Sequence, residues 1–540
     1  MPDKFNVTSS AVAIIAAALL LMFSGCGGGS EDPVPTAPAA PGSATTRPSG
    51  STSALSDVDL AQEETGIRIA GMDPEDLLTG AASLAMGDFN DDGKTDLLIG
   101  APQGDGPDND RTEAGEAYIL FGPLERSRDL SASGPDVIIY GGSAGDGLGY
   151  SVLSADINDD EQEDVLIGAP GVTAGFDLRT DQGRVYVIYG GETFGDEESL
   201  DLSDDVVDLT ITGAEGFSRL GHAMAGGDVN GDGAGDVVVG APFAGRPPGS
   251  APGSERTALG EAYVILGNRS LSGDRNMARD EYDSVISGSF AFGEFASSIV
   301  VADLDDDRKD DIVAGAHRSS AGEPARASSG AAYVFYGRSE FEQRISVEDG
   351  GADVAIVGAT GSTLGYPLAS GDFDGDGTAD IAVGAQLESS ADIQGAGAVH
   401  IFFGDRQLAD EIDLETESAD VRLSGGETSE FLPSALTSVD LDRDGRWEII
   451  AGSMLIGASD DRFGSGVVYV ISLPVDAQDK ISVSTGAAII MGQASGDRLG
   501  NALGAGSVSE GIPVLVALAP LADSSGRDDA GVVYLLESQP

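Results

Sequence analysis

Short apolar segments, each long enough for one β-strand, recur in groups of four along most of the chain. One group occupies residues 137–140, 149–153, 164–167 and 184–189, and the next repeats the order at residues 209–212, 221–225, 236–239 and 262–266. The repeating unit is about 67 to 75 residues long. Several segments, such as residues 237–239, are apolar throughout instead of alternating with polar residues, which indicates strands that are covered on both faces.

Seven such units fit the chain. Six contain an acidic segment, and the seventh keeps only the strand-like segments, at residues 489–491, 501–505, 514–518 and 532–536. Glycines flank nearly every segment, as tight turns between short strands require. Small antiparallel sheets that are buried on both faces and repeat in series are typical of a β-propeller. The sequence therefore predicts an all-β fold, a seven-bladed β-propeller with four-stranded antiparallel blades, over residues 62–538.

A further segment suggests how the ring closes. Residues 66–71 (GIRIAG) resemble the segment that opens each later unit, yet they precede the first acidic segment. We expect this N-terminal strand to complete the last blade, whose other three strands come from the C-terminal end. Closure of the ring would then be non-covalent.

An acidic nonapeptide lies between strands in six units, with oxygen-bearing side chains at positions 1, 3, 5 and 9. We number these segments loop 1 to loop 6: residues 88–96, 156–164, 228–236, 303–311, 372–380 and 440–448. Carboxylates this crowded repel one another unless a hard cation lies between them, and Ca²⁺ takes roughly six to eight oxygen ligands. We expect about six structural Ca²⁺ ions, with the backbone carbonyl of position 7 as a further ligand. The candidate ligands are Asp88, Asn90, Asp92, Lys94 and Asp96; Asp156, Asn158, Asp160, Gln162 and Asp164; Asp228, Asn230, Asp232, Ala234 and Asp236; Asp303, Asp305, Asp307, Lys309 and Asp311; Asp372, Asp374, Asp376, Thr378 and Asp380; and Asp440, Asp442, Asp444, Arg446 and Glu448.

The acidic loops have three other interpretations: an EF-hand, a Mg²⁺ site and acidic turns without metal. An EF-hand would need a glutamate at position 12 and a following helix, but loop 1 has Ile99 there, inside an apolar segment. Mg²⁺ fits less well because it prefers a smaller octahedral shell that keeps several waters. Solvated acidic turns without metal remain an alternative, most of all in loop 6, where Trp447 and Glu448 depart from the pattern. Loops 2 and 4 lack the glycine that the other loops have at position 6.

The units resemble FG-GAP repeats, the propeller modules of integrin α-subunit head regions and of many bacterial extracellular proteins. The GAP element appears as Gly100-Ala101-Pro102 and at the matching positions of the next two units, and the FG element appears mostly as Leu-Gly, as at Leu148-Gly149. The resemblance implies that the metal loops lie on one face and the loops after GAP on the other. It makes residues 103–114, 243–259 and 318–329 candidate contact loops for a partner.

The N-terminal sequence predicts that the protein is exported from the cytoplasm. Residues 11–23 are an unbroken apolar run, and Ser24, Gly25 and Cys26 follow it. This arrangement resembles the signal of a bacterial lipoprotein, so we expect a signal peptide at residues 1–25, lipidation of Cys26 and a disordered Gly/Pro/Ser/Thr tether at residues 26–61. The mature protein would be anchored outside the cytoplasm, in the bacterial envelope, and contact the membrane only through the lipid. Without lipidation it would be secreted.

The net charge and the placement of the histidines restrict the classes of function that the sequence allows. The formal net charge of −62 excludes nucleic acid as a partner, because phosphates would be repelled. His222, His317 and His400 each occupy a repeat position, so we interpret them as substitutions within the fold; no catalytic residue is assigned and no enzyme is expected. The sequence favours a calcium-binding adhesion module for an unidentified extracellular protein or glycan. The alternatives are a polysaccharide lyase or hydrolase on a propeller scaffold and a purely structural envelope protein.

Overall fold

The computed structural model describes residues 57–62, 66–73, 83–171, 182–204, 207–214, 216–245, 258–322, 324–389, 393–404, 408–457, 461–474, 480–483, 487–508, 511–524 and 526–537. The predicted signal peptide, Cys26 and the predicted tether up to residue 56 lie outside these residues. Within them no helix is long and apolar enough to cross a membrane. The described helices are one short α-helix, Leu130–Ser133, and two 3₁₀ turns, Pro107–Asn109 and Met277–Arg279.

The described strands form seven five-stranded sheets, which are the blades. From the innermost strand outward, blade 1 is β3 (Leu84–Gly87), β4 (Asp96–Ala101), β5 (Glu116–Leu120), β7 (Val137–Tyr140) and β11 (Ser199–Asp201); blade 2 is β8 (Ser151–Ala155), β9 (Asp164–Ala169), β10 (Arg184–Ile188), β12 (Leu209–Thr212) and β16 (Gly273–Asn276); blade 3 is β13 (Ala223–Gly227), β14 (Asp236–Ala241), β15 (Glu261–Ile265), β17 (Ser284–Ser287) and β21 (Arg344–Ser346); and blade 4 is β18 (Ile299–Ala302), β19 (Asp311–Gly315), β20 (Ala331–Phe335), β22 (Val354–Val357) and β26 (Glu411–Asp413). Blade 5 is β23 (Leu364–Gly371), β24 (Asp380–Ala385), β25 (Ala398–Phe402), β27 (Val421–Ser424) and β31 (Lys480–Ser482); blade 6 is β28 (Leu436–Val439), β29 (Glu448–Ser453), β30 (Val467–Ile471), β32 (Ala488–Met491) and β1 (Val58–Asp59); and blade 7 is β33 (Ala502–Val508), β34 (Ile512–Ala519), β35 (Val532–Glu537), β2 (Ile67–Ala70) and β6 (Arg128–Asp129).

The predicted seven-bladed β-propeller is confirmed. The innermost strands contact one another in a closed ring, in the order β3, β8, β13, β18, β23, β28, β33 and back to β3. The second strand of most blades is buried at every residue, as in β4 and β14. Each blade therefore packs between two others, which explains why these strands are apolar throughout.

Each blade has a fifth strand that the sequence did not predict. The first four strands pair antiparallel, but the outermost strand pairs parallel with the fourth, as β11 does with β7. In blades 1 to 5 and in blade 7 that fifth strand comes from the connection between the third and fourth strands of the following blade, whereas in blade 6 it is β1, which precedes β2. The backbone hydrogen bonds of this pairing thus link neighbouring blades along their outer rim.

Two N-terminal strands take part in closing the ring. The predicted closing strand is confirmed as β2, which pairs antiparallel with β35 and completes blade 7. In addition, β1 pairs with β32 and supplies the fifth strand of blade 6. The predicted tether boundary at residue 61 was therefore a few residues too late, because Val58–Asp59 already belong to the ring.

An arginine clasp fixes the fifth strand in four blades. In each, an arginine from the loop after the second strand binds an aspartate opposite the end of the fourth strand and also donates to a backbone carbonyl. The pairs are Arg111–Asp201, Arg326–Asp413, Arg462–Asp59 and Arg527–Asp129. The other three blades have Asn276, Ser346 or Ser482 at the aspartate position. The clasp is therefore a property of individual blades and not of the fold as a whole.

Seven apolar clusters fill the spaces between neighbouring blades. One cluster joins blades 7 and 1 and includes Ile69, Leu97 and Val516, all nearly inaccessible to solvent. The FG and GAP elements meet at the same interfaces. A Cβ atom on Gly100 of β4 would lie 1.9 Å from the carbonyl oxygen of Gly149 in the next blade. Only glycine permits that backbone approach, which gives the GAP glycine a packing role.

Candidate metal sites in the acidic loops

All six acidic loops join the first and second strands of a blade, so they lie on one face of the ring. The chain then returns along the second strand to the GAP element at the opposite face. Loop 1, for example, connects β3 to β4, and residues 103–114 leave β4 at the other end. The two-face arrangement that the resemblance implied is therefore confirmed for the described strands.

The six loops share one backbone conformation. Position 6 has a positive φ in each, whether it is Gly93 at 77°, Glu161 at 68° or Arg308 at 69°. Position 4 is left-handed as well, as at Asp91 with a φ of 54°. Loops 2 and 4 thus adopt the same turn as the others, although they lack the glycine that makes this conformation inexpensive.

Position 1 caps the turn with both oxygens of its carboxylate. In loop 1 the Oδ1 atom of Asp88 accepts from the backbone N–H of Asp92 at 3.1 Å, and its Oδ2 atom accepts from Gly93 at 2.8 Å. Positions 3 and 5 add short-range bonds: Asn90 accepts from the N–H of Asp92, and Asp92 accepts from that of Lys94. These bonds turn the side-chain oxygens of the loop inward.

Position 9 begins the second strand and is buried. In loop 1 the carboxylate of Asp96 accepts from the backbone N–H groups of Phe89 and Gly122 at 3.0 and 2.8 Å. In loop 6 the longer Glu448 accepts from Leu441 and from the hydroxyl of Ser472, both at 2.9 Å. The substitution that set loop 6 apart in the sequence is accommodated by this different partner.

In loops 4, 5 and 6 three carboxylates come together. The oxygens of positions 1, 3 and 9 lie within 4.8 Å of one another in the groups Asp303–Asp305–Asp311, Asp372–Asp374–Asp380 and Asp440–Asp442–Glu448. Loops 1 to 3 have an asparagine at position 3, which supplies a neutral oxygen in place of a carboxylate. The structure therefore brings positions 1, 3 and 9 together, while position 5 lies outside these close groups.

Position 5 has a competing partner in two loops. The Lys94 ammonium is 2.7 Å from Oδ2 of Asp92, and Lys309 pairs with Asp307 in the same way. These lysines occupy position 7, whose backbone carbonyl was predicted as a ligand. In loops 1 and 4 the position-5 carboxylate is thus shared with a lysine side chain.

The electrostatics of the loops fit a cation. Burial raises the pKa of the position-9 carboxyl, and repulsion from neighbouring aspartates adds to the shift: to about 6 for Asp96 and to about 7 for Asp164, Asp236, Asp311, Asp380 and Glu448. In loop 2 the buried Oδ1 atom of Asn158 has no hydrogen-bond partner among the described residues. A bound divalent cation would both stabilise the charged carboxylates and satisfy such an oxygen.

The three histidines lie in two different surroundings. His400 lies opposite Arg422 in blade 5, and its Nε2 atom is 2.7 Å from Glu388, which Arg422 also binds. Tyrosine occupies the matching position in other blades, where Tyr118 binds Glu116. His400 is thus a substitution within the fold, as predicted. His222 and His317, in contrast, come close together on the GAP face, a convergence that the sequence interpretation missed.

The fold and its acidic loops define a seven-bladed β-propeller with candidate cation sites on one face. Five of its repeats match the FG-GAP repeat family model, at residues 80–120, 148–188, 220–265, 295–335 and 364–402. The sixth and seventh units lie outside these matches, and the strand pairing identifies them as blades.

Similar proteins are longer than the regions that match this chain. The chain is 30% identical over 222 residues to a phosphatidylinositol-glycan-specific phospholipase D of Rattus norvegicus, covering 40% of this chain and 24% of that protein. It is 27% identical over 305 residues to the Homo sapiens protein of the same name, covering 54% of this chain and 33% of the relative. Integrin alpha-5 of Xenopus laevis is 34% identical over 167 residues, covering 30% and 14%. The matched region is a third or less of each relative's length.

Solved structures align over most of the chain. The crystal structure of BBS1N in complex with ARL6DN, soaked with lead, covers 88% of this chain and 98% of its own, at 9% identity and a TM-score of 0.42. The assignment of the fold rests on the strand pairing and not on this overlay.

Proposed function

We propose that this protein is a calcium-stabilised binding module outside the cytoplasm, in which the acidic loops hold Ca²⁺ and the loops of the opposite face contact a protein or glycan. The observation that carries the proposal is the three-carboxylate grouping of positions 1, 3 and 9. Three carboxylates this close repel one another, and a cation between them would turn that repulsion into attraction; oxygen ligands in a flexible loop suit Ca²⁺. The similarity to integrin α-subunits supports an adhesion role.

The role of calcium is structural in this proposal. Each ion would join the two inner strands of its blade, far from the face that meets a partner. Extracellular calcium modules bind with dissociation constants of about 10⁻⁴ to 10⁻³ M, so the loops would stay occupied where calcium is plentiful. Six bound ions would offset twelve of the 62 excess negative charges. The surface would thus remain strongly acidic.

Counting the bound metal tests the proposal. Purified protein equilibrated with millimolar Ca²⁺ should show about six Ca²⁺ per chain by native mass spectrometry, and equimolar Mg²⁺ should displace few of them. Replacing Asp374 with asparagine removes one carboxylate from the loop 5 group and should weaken that site by about tenfold, while Asp349→Asn, outside the loops, should change nothing. Protein that carries no calcium under these conditions would refute the calcium part of the proposal.

We also propose that Cys26 carries a lipid that anchors the protein in the envelope. The support is the apolar run at residues 11–23 followed by Ser24, Gly25 and Cys26. The wild-type protein should sediment with membranes and partition into Triton X-114, whereas Cys26→Ala should appear in the soluble fraction. Identical fractionation of the two proteins would show that no lipid is attached at this residue.

A further inference from the structure

The face opposite the acidic loops carries a cluster of polar and aromatic side chains at the mouth of the ring. The innermost strands begin at this face, next to the FG elements. Tyr150 immediately precedes β8, His222 precedes β13, and Tyr366 lies near the start of β23. His317 follows β19 at the position of the GAP proline, so it comes to the same face. We call the set Tyr150, His222, Glu294, Ser297, His317 and Tyr366 the mouth cluster.

Members of the mouth cluster contact one another across blade boundaries. The hydroxyl of Tyr150 is 3.1 Å from Nε2 of His222, and their ring centroids are 4.9 Å apart. The hydroxyl of Ser297 is 3.0 Å from Nδ1 of His317, whose ring lies 5.3 Å from that of Tyr366. The cluster therefore spans blades 2 to 5 along one side of the mouth.

Two arginines flank the cluster. Arg219 lies over the ring of Phe243 at 5.1 Å, and Arg318 is 3.0 Å from a carboxylate oxygen of Glu294. The other Glu294 oxygen is 3.5 Å from Nε2 of His317. Two arginines therefore lie beside a single carboxylate, Glu294, in a chain that has only 29 lysines and arginines against 91 acidic residues. Arg219 is the cation of this mouth that is not paired with Glu294 at salt-bridge distance, and it gives the mouth an excess of positive charge.

The histidines of the cluster are neutral hydrogen-bonding groups. Burial, together with the nearby charge of Arg219, lowers the pKa of His222 to about 4. Burial likewise lowers the pKa of His317 to about 3. Burial raises the pKa of Tyr150 and Tyr366, which keep their phenolic protons. All four rings nevertheless keep partial access to solvent, so they are not sealed in the core.

We propose that the mouth cluster binds a single acidic sugar residue, a uronic acid at the end of a glycan. Arg219 would bind the sugar carboxylate, the tyrosine rings would pack on its C–H faces, and the imidazoles and Ser297 would hydrogen-bond its hydroxyls. This inference rests on the proposed binding function and names the ligand class of its GAP face.

Other ligands fit the cluster less well. A long polyanion would be repelled by the net charge of −62 on the chain. A cationic ligand would compete with Arg318 for Glu294, the acidic member of the cluster. A metal ion is disfavoured because, in the described part of the chain, the close groups of acidic and histidine ligands lie in loops 4, 5 and 6. A sugar with one carboxylate satisfies both the arginine and the aromatic rings.

Titration with matched monosaccharides tests the proposal. Calcium-loaded full-length protein is titrated with methyl β-D-glucuronide, and with methyl β-D-glucuronamide and methyl β-D-glucoside as neutral controls, by saturation-transfer NMR and calorimetry. We expect the glucuronide to bind at least about tenfold more tightly than either neutral sugar, because a charge-assisted hydrogen bond is lost in both controls. Equal binding of all three, or binding of none, would overturn the proposal.

Three variants locate the site. Arg219→Gln removes the cation and should weaken glucuronide binding by about tenfold or more. His222→Phe keeps an aromatic ring but removes the hydrogen-bonding nitrogens, so it should also weaken binding. Arg269→Gln is the matched control, since Arg269 is an exposed arginine that pairs with Asp159 on the acidic-loop face. It should bind glucuronide as the wild type does. Unchanged binding by Arg219→Gln, with melting temperatures unchanged in all variants, would contradict the assignment.

The outcome separates this inference from the proposed function. If the protein retains about six Ca²⁺ and adheres to a glycan or protein surface but ignores glucuronide, the ligand class is wrong and the binding module stands. If the glucuronide binds and no calcium does, the mouth cluster stands and the role of calcium fails.

Discussion

Removing calcium should lower the melting temperature of the protein by about 10 °C. Each loop that binds Ca²⁺ with a dissociation constant near 10⁻⁴ M gains about 1.4 kcal/mol of stability at 1 mM Ca²⁺, because the unfolded chain lacks the site. Six independent loops would contribute about 8 kcal/mol together. A domain of this size shifts by roughly 1 to 2 °C per kcal/mol, by extension from smaller domains.

Differential scanning calorimetry measures this directly, with protein in 1 mM Ca²⁺ compared with protein in excess chelator. Restoring free calcium in the chelated sample should recover the original melt, which separates metal loss from irreversible damage. Millimolar Mg²⁺ should recover little of it. A melt that is identical with and without chelator would mean that the acidic loops are stable without metal.

The strands of the blades could be predicted from the sequence because neighbouring blades cover both of their faces, which requires apolar residues throughout. Strands such as β7 (Val137–Tyr140) are short apolar runs between turn residues, and their predicted and observed bounds agree. The closing strand was predictable for the same reason, since Ile67 and Ile69 repeat the apolar positions of later units. The seventh blade was found although its acidic loop is missing, because packing between blades constrains the strands and not the loop.

The fifth strands escaped prediction because they have no apolar pattern. Ser199–Asp201 is exposed or half-buried at every residue, and Arg128–Asp129 has only two residues. Their pairing is set by backbone hydrogen bonds and, in four blades, by the clasp. The available signal was the arginine after the second strand together with an aspartate in the following unit, as for Arg111 and Asp201. These partners are ninety residues apart in sequence, so neither identifies the other without the fold.

The mouth cluster was missed for a related reason. His222 occupies a position after the FG element and His317 a position within the GAP element, in different units. Considered singly, each is one substitution in a repeat. Neighbouring strands within a blade run in opposite directions, so a second strand ends at the same face of the ring at which a first strand begins. The two histidines come together only for this reason. His400 differs from these two histidines, because its partner, Glu388, is near in sequence and lies in the same blade.

Deleting the N-terminal strands should prevent the ring from closing. A protein that begins at residue 83 lacks both β1 and β2, which leaves the edge of β35 unpaired and removes the buried Ile69 from the interface between blades 7 and 1. Burying an isoleucine contributes about 2 to 3 kcal/mol, and four residues of strand pairing are lost with it. An open propeller also exposes a strand edge that promotes aggregation. We expect this protein to elute as soluble aggregate and to show no cooperative unfolding in urea.

Two matched proteins separate the contributions of the two closures. A protein that begins at residue 57 keeps both strands and should unfold at the same urea concentration as the full chain. A protein that begins at residue 66 keeps β2 but loses β1 and the clasp of Arg462 with Asp59, whose carboxylate accepts at 2.6 and 2.8 Å. Because that pair is half-buried and its hydrogen bonds join charged groups, its loss with β1 should cost about 2 to 3 kcal/mol, and Asp59→Asn alone should cost less. If the protein that begins at residue 83 unfolds as cooperatively as the full chain, closure by β2 does not hold the ring. The observed pairing predicts instead that blade 7 cannot form from its C-terminal strands alone.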